Sequence, residues 1–204
     1  VVGGRIHKVY GDSNEKGNIS RMAVSVYQES EVCPLKVDET YGAGKNAEID
    51  GDVSLTLDCV RDVSVIYGGA TNADLNSGVT LTITNGTFDK VFGGNNKSGA
   101  INGPITVNIQ ENGCQPIRIK ELYACGYLAP YSIYGTEKNS SDQWVVKTEN
   151  TAVGFPKADP QINLRSFTSM GNVYGAGLGE SAVVLGTPTI NVNVIKASGY
   201  TLGN

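Results

Sequence analysis

Tyr127, Tyr131, Tyr134, Trp144 and Phe155 crowd into residues 127–156, around a polar run from Glu137 to Gln143. Tyr and Trp join an apolar face to a polar tip, which suits stacking on a sugar ring or on a protein surface. These five are the candidate binding residues, with a glycan or a host or cell-surface protein as the partner. A lone Trp is also well suited to burial, so Trp144 closing as a clasp on the side of the protein is the competing reading.

Carboxylates offer a second chemistry. Glycoside hydrolysis needs two of them facing one groove. Glu48 and Asp74 occupy equivalent positions of a repeat, as do Asp50 and Asn76. Those positions read as turns, where Asp and Asn more often bond the backbone. Asp58 and Asp62 flank Cys59, and Asp89 precedes Lys90. No catalytic residue is assigned from this pattern. A polysaccharide lyase or glycoside hydrolase of the parallel β-helix type stands as the alternative to a binding role. No metal or cofactor is expected, because Cys33, Cys59, Cys114 and Cys125 include no Cys-x-x-Cys and His7 is the single histidine. Gly42-Ala43-Gly44 and Gly68-Gly69 lack the helix and the Gly-Lys-Ser/Thr of a phosphate loop.

Composition narrows the scaffold. The 204 residues are 40% apolar and 18% charged, with 26 Gly, so the core is narrow and the turns are many. The net charge is −4 and the 16 Lys and Arg are scattered, which argues against nucleic acid as a partner. No apolar run approaches the ~20 residues of a membrane-crossing helix. Gly4 to Gly11 already reads as the end of a repeat, so the chain is expected to be a fragment of a longer repeat protein, with its targeting signal elsewhere.

Three stretches set the period. Tyr41-Gly42-Ala43-Gly44 leads to Val53-Ser54-Leu55-Thr56-Leu57, Tyr67-Gly68-Gly69 to Val79-Thr80-Leu81-Thr82-Ile83, and Phe92-Gly93-Gly94 to Ile105-Thr106-Val107-Asn108-Ile109. The aromatics are 26 and 25 residues apart, the mark of a solenoid. Within each strand the apolar residues alternate with Ser, Thr or Asn, giving one buried face and one hydroxyl face. Identical strands one period apart stack in parallel, ~4.8 Å from rung to rung. Two outward columns follow, Ser54/Thr80/Thr106 and Thr56/Thr82/Asn108. They can order water as ice-binding surfaces do, or simply reflect how Thr suits an exposed strand. The Gly pairs are expected to supply φ > 0 at the turns, and the aromatics before them to cover the core. Cys33 and Cys59 each lie 8 residues before an aromatic and are expected to stack on adjacent rungs.

A second short strand precedes each aromatic, as in Val63 to Tyr67, Thr87 to Phe92 and Ile117 to Tyr123. The next matching aromatic after Tyr123 is Tyr174, 51 residues on, which reads as two periods with one altered rung. Residues 127–165 are read as an irregular insertion, with Ile162 to Arg165 a strand candidate inside it. Helix signals are nearly absent. The expected fold is therefore all-β, a single β-solenoid domain over residues 1–204 with ~25-residue rungs and one excursion.

Val91-Phe92-Gly93-Gly94-Asn95 with Ile105 to Ile109, and Val173 to Gly177 with Ile190 to Val194, resemble the Gly-rich repeat regions of secreted or surface proteins from gut Bacteroidetes. The resemblance covers most of residues 41–126 and 171–194. It implies a right-handed parallel β-helix at the cell surface or outside the cell, with a structural, adhesin-like role, and it carries over no catalytic residue. Tyr123-Ala124-Cys125-Gly126 departs from the Gly-rich turn.

Overall fold

Alternation in the sequence becomes alternation in burial. Val53, Leu55 and Leu57 are buried, and Ser54 and Thr56 between them are not. Val79, Leu81 and Ile83 repeat the pattern around Thr80 and Thr82. The computed structural model describes residues 4–15, 19, 21–27, 35–113, 115–134, 136–141, 143–146 and 159–193, and among these all helical or extended regular structure is β-strand.

Two strands form in each repeat. The strands ahead of the aromatics are β1 (Gly4–Tyr10), β3 (Leu35–Tyr41), β5 (Asp62–Tyr67), β7 (Gly86–Phe92), β9 (Ile117–Tyr123) and β14 (Ser169–Tyr174). Those after the Gly-rich turns are β2 (Met22–Tyr27), β4 (Val53–Asp58), β6 (Val79–Ile83), β8 (Ile105–Gln110), β13 (Gln161–Ser166) and β16 (Thr189–Val192). The first set makes one six-stranded parallel sheet, in the order β1-β3-β5-β7-β9-β14. The second makes another, in the order β2-β4-β6-β8-β13-β16. The inward faces of both supply one core, which includes Val37, Leu55, Ile66, Leu81, Phe88 and Ile119. Between the sheets, Ile19, Ile49, Leu75 and Ile101 form a third parallel column of single bridges. Leu81 lies between Leu55 and Val107 in register and is fully buried.

The 51-residue interval from Tyr123 to Tyr174 does not hold an extra rung. Tyr123 is the direct partner of Tyr174, and β13 pairs directly with β8. One repeat is lengthened instead. Within residues 127–165, β10 (Tyr131–Ser132) pairs in parallel with β15 (Val184–Leu185), while β11 (Thr136–Lys138) and β12 (Trp144–Val146) pair as an antiparallel hairpin. Parallel pairing then resumes at Gln161.

The turn glycines have a different cause from the one expected. Left-handed backbone occurs at Gly86 (φ +115°), Gly113 (φ +90°) and the non-glycine Cys59 (φ 52°), each at the second corner of its rung, and at Gly99 (φ +94°) beyond the Gly93-Gly94 pair. The pairs after the aromatics do not need it. A Cβ on Gly68 would instead run into Gly93 O and come within 2.9 Å of Val79 Cγ1. Backbones stacked at rung spacing leave these positions no room for a side chain. At the departing turn, Ala124 N donates to Tyr174 O at 2.9 Å, so Ala124 continues the stack.

The aromatics form their own column rather than a lid on the main core. Tyr10, Tyr41, Tyr67, Phe92, Tyr123 and Tyr174 stack face to face with centroids 4.7–5.1 Å apart. The central four are a separate apolar cluster, flanked by Tyr10 and Val65. Rung spacing matches the range in which aromatic pairs attract. Tyr41 is fully buried, donates to Glu39 Oε2 at 2.6 Å and accepts from Asn96 Nδ2 at 2.7 Å. Cys59 is disulfide-bonded, and its expected neighbour Cys33 lies outside the described residues. Cys125 is free and buried, and burial pushes its thiol pKa up.

Candidate functional site

Residues that alternate with the core point outward from the sheet containing β4, β6, β8, β13 and β16. Register carries them in columns across those strands: Ser54, Thr80, Thr106, Gln161 and Thr189 in one, Thr56, Thr82, Asn108, Asn163 and Asn191 in the next. The second column changes from hydroxyl to amide at β8. Asn163 Nδ2 donates to Asn108 Oδ1 at 3.0 Å, and Asn191 Nδ2 to Asn163 Oδ1 at 2.9 Å. An amide has two donors and two acceptor lone pairs. The ladder therefore leaves Asn108 both its N–H donors.

Thr82, Thr84, Asn108, Gln110, Asn112 and Arg165 line a half-open groove of about 410 Å³ where this face meets the corner after β6 and β8. A β-bulge shapes one wall. β13 follows β8 as far as Leu164 opposite Ile109, and the next pair is Ser166 opposite Gln110, which leaves Arg165 as the extra residue. Bulges re-aim side chains at the edge of regular pairing. Arg165 is exposed, with Nη1 3.5 Å from Gln110 Oε1. The opposite wall is tied to the corner. Thr84 Oγ1 donates to Asp58 Oδ1 at 2.6 Å, and Asn112 Nδ2 to the same oxygen at 3.0 Å. Fully buried Asn85 donates to Asn112 Oδ1 and accepts the Cys59 N–H. One side is thus held by a satisfied polar network, and the other presents an amide and a guanidinium to solvent.

No protein-family model, curated protein or solved structure matches the chain. The site rests on its own geometry.

Among the described residues, the aromatic candidates do not share one surface. Tyr131 is 2% exposed, packs in the main core and donates its hydroxyl to Gly103 O at 3.0 Å. It is a core residue, not a binding platform, and burial pushes its phenol pKa up. Tyr127 is 36% exposed and leans on Phe92, beside the aromatic column, at 5.7 Å and 56°. Tyr134 is half-buried, with its backbone N–H on Ser132 Oγ at 3.0 Å. Trp144 lies in β12 opposite Lys138, its side chain outside the described residues, as is all of Phe155.

Of the acidic candidates, Asp50 and Asp74 serve turns, while Asp89 on β7 pairs with Lys120 at 2.6 Å. Asp74 Oδ1 accepts Ala100 N–H at 2.8 Å, and Asp50 Oδ1 accepts Asn76 Nδ2 at 2.9 Å. Asp52, two residues on, accepts the Ser77 hydroxyl, a spacing the sequence reading passed over. Among the described residues no three His, Cys, Asp or Glu lie close enough to hold a metal. Sequence reasoning found Thr82 and Asn108 as outward residues and missed the groove. Arg165, the one charge following Gln161 and Asn163 on the same face, was the available signal.

Proposed function

We propose that the chain is a right-handed parallel β-helix, part of an extracellular or cell-surface protein, and that its role is structural display of a binding surface for a glycan. Each repeat stacks mainly on its neighbours, so such a body lengthens by duplication and carries a site wherever one repeat departs from the pattern. The observation that carries the reading is the groove at Arg165, an interruption of an otherwise repetitive polar face by hydroxyl, amide and guanidinium groups. Sugar hydroxyls both donate and accept, and Asn and Gln amides answer both needs. The described lining holds no Asp or Glu, while hydrolysis needs two carboxylates. Recognition is therefore favoured over glycoside hydrolysis. The disulfide at Cys59 supports an oxidising compartment, where such bonds persist. No helix among the described residues is long and apolar enough to cross a membrane.

The test is a glycan array with the parent and with Asn108→Ala and Gln110→Ala, alongside melting curves. Binding that falls with either substitution at unchanged melting temperature supports the groove. Binding that survives both, or that is absent in the parent, refutes it. Product analysis of the bound glycan separates binding from cleavage.

A further inference from the structure

We infer that the groove takes an anionic oligosaccharide, its chain crossing the strands and one carboxylate or sulfate seated on Arg165. The inference rests on reading the groove as a glycan-binding surface and adds the charge of the ligand.

Three observations carry it. First, Arg165 is an unneutralised cation among the described residues. The five ion pairs use Arg5, His7, Lys8, Lys90 and Lys120, all on β1, β7 and β9 of the other sheet. The polar side-chain contact of Arg165 is the neutral Gln110 amide, at a long 3.5 Å. The guanidinium fork matches carboxylate and sulfate oxygens in pairs and is weakly hydrated, so it suits such an anion better than Lys would.

Second, the acids beside the groove are already engaged. The acid bonded to its lining is Asp58, on β4, three strands from Arg165 in the order β4-β6-β8-β13. At ~4.8 Å per strand the two backbones are roughly 14 Å apart, and the Asp58 carboxylate reaches toward β8 through Asn112. Its Oδ1 already takes Thr84 Oγ1 and Asn112 Nδ2. Glu111, between the lining residues Gln110 and Asn112, is engaged in the same way, its Oε2 accepting from Thr168 Oγ1 and Ile117 N at 2.8 Å each. An anion is therefore drawn to Arg165, the one cation of the lining.

Third, the polar groups of the lining repeat at strand spacing. Thr82 and Asn108 are consecutive members of one column, ~4.8 Å apart. That is about the advance of one pyranose along an extended chain. Successive rings crossing the strands each meet a hydroxyl or an amide, and the charged substituent of one ring reaches the bulge. The bulge matters because it adds a residue to the wall where regular pairing would place none.

The experiment is calorimetric titration of the parent, Arg165→Gln and Asn108→Ala with four probes at low and high salt. The probes are an oligogalacturonate, a sulfated galactan oligomer, a neutral oligosaccharide of matched length and a polyglutamate peptide. Arg165 is exposed, so Arg165→Gln should fold normally, which circular dichroism checks. The parent is expected to bind an acidic glycan, more weakly as salt rises. Arg165→Gln should lose roughly ten- to hundredfold, the worth of one charged hydrogen-bonded contact. Tighter binding of the carboxylated or of the sulfated probe identifies which anion the site takes. Equal binding of the neutral oligosaccharide, unchanged in Arg165→Gln, overturns the anionic inference and leaves the groove reading standing. Polyglutamate bound as tightly as the acidic glycans also overturns it, because charge alone would then suffice. No binding of any saccharide overturns both.

Discussion

Leu81→Ala measures how much the stacked core contributes. Leu81 is fully buried on β6, with Leu55 and Val107 in register on either side. The substitution removes three carbons, worth about 2.4 kcal/mol at ~0.8 kcal/mol each. A cavity term adds to this in proportion to how little the site relaxes. Relaxation is restricted here, because β4 and β8 are each held by a ladder on both sides. The expected loss is therefore about 3–4 kcal/mol, within the range of buried Leu truncations. Thr82→Ala is the control one residue away, on the outer face, with an expected change within ~0.5 kcal/mol. Guanidinium denaturation followed by circular dichroism reads both, with the m-value checked so that midpoints convert to free energies. Equal losses for the two variants would refute the in/out assignment. A loss below about 1 kcal/mol for Leu81→Ala would refute the claim that its neighbours cannot close the gap.

Gly68→Ala should destabilise by about 1–3 kcal/mol through overpacking, because the added methyl meets the Gly93 backbone; an unchanged melting temperature would refute the close-stacking account. Alkaline titration followed by phenolate absorbance should show a late class of tyrosines, since burial raises Tyr67 and Tyr123 to about 12. A raised folded-state pKa favours the neutral phenol, so its contribution to stability is full below the ordinary tyrosine pKa of ~10 and is lost as pH climbs towards 12. Titration of all tyrosines together near pH ~10 in the folded protein would contradict this. The Cys59 disulfide is expected to close on Cys33, 26 residues earlier, the interval that relates Lys36 to Asp62 across β3 and β5; peptide mapping without reductant that joins Cys59 to Cys114 would show otherwise.

What the sequence made legible depended on whether a residue's environment was repeated. Leu55, Leu81 and Val107 share one environment, so their spacing declared both the strand and its inward face. Thr82 and Asn108 were legible as outward for the same reason. Gly68 was legible as a glycine that mattered but not why, since φ and crowding leave the same mark on a sequence. Only the approach of Gly93 separates them. Tyr131 reads as a binding residue because it crowds with the other aromatics of residues 127–156, while its burial comes from packing in the main core and bonding to Gly103 O. Arg165 was hardest. A bulge is a mismatch between two strands, here β8 and β13, separated by the whole lengthened repeat, and neither strand shows it alone. The same mismatch places a lone cation beside amides and hydroxyls that are otherwise monotonous. In a body built by repetition, chemistry specific to one place has to come from a break in register, and Arg165 sits at such a break.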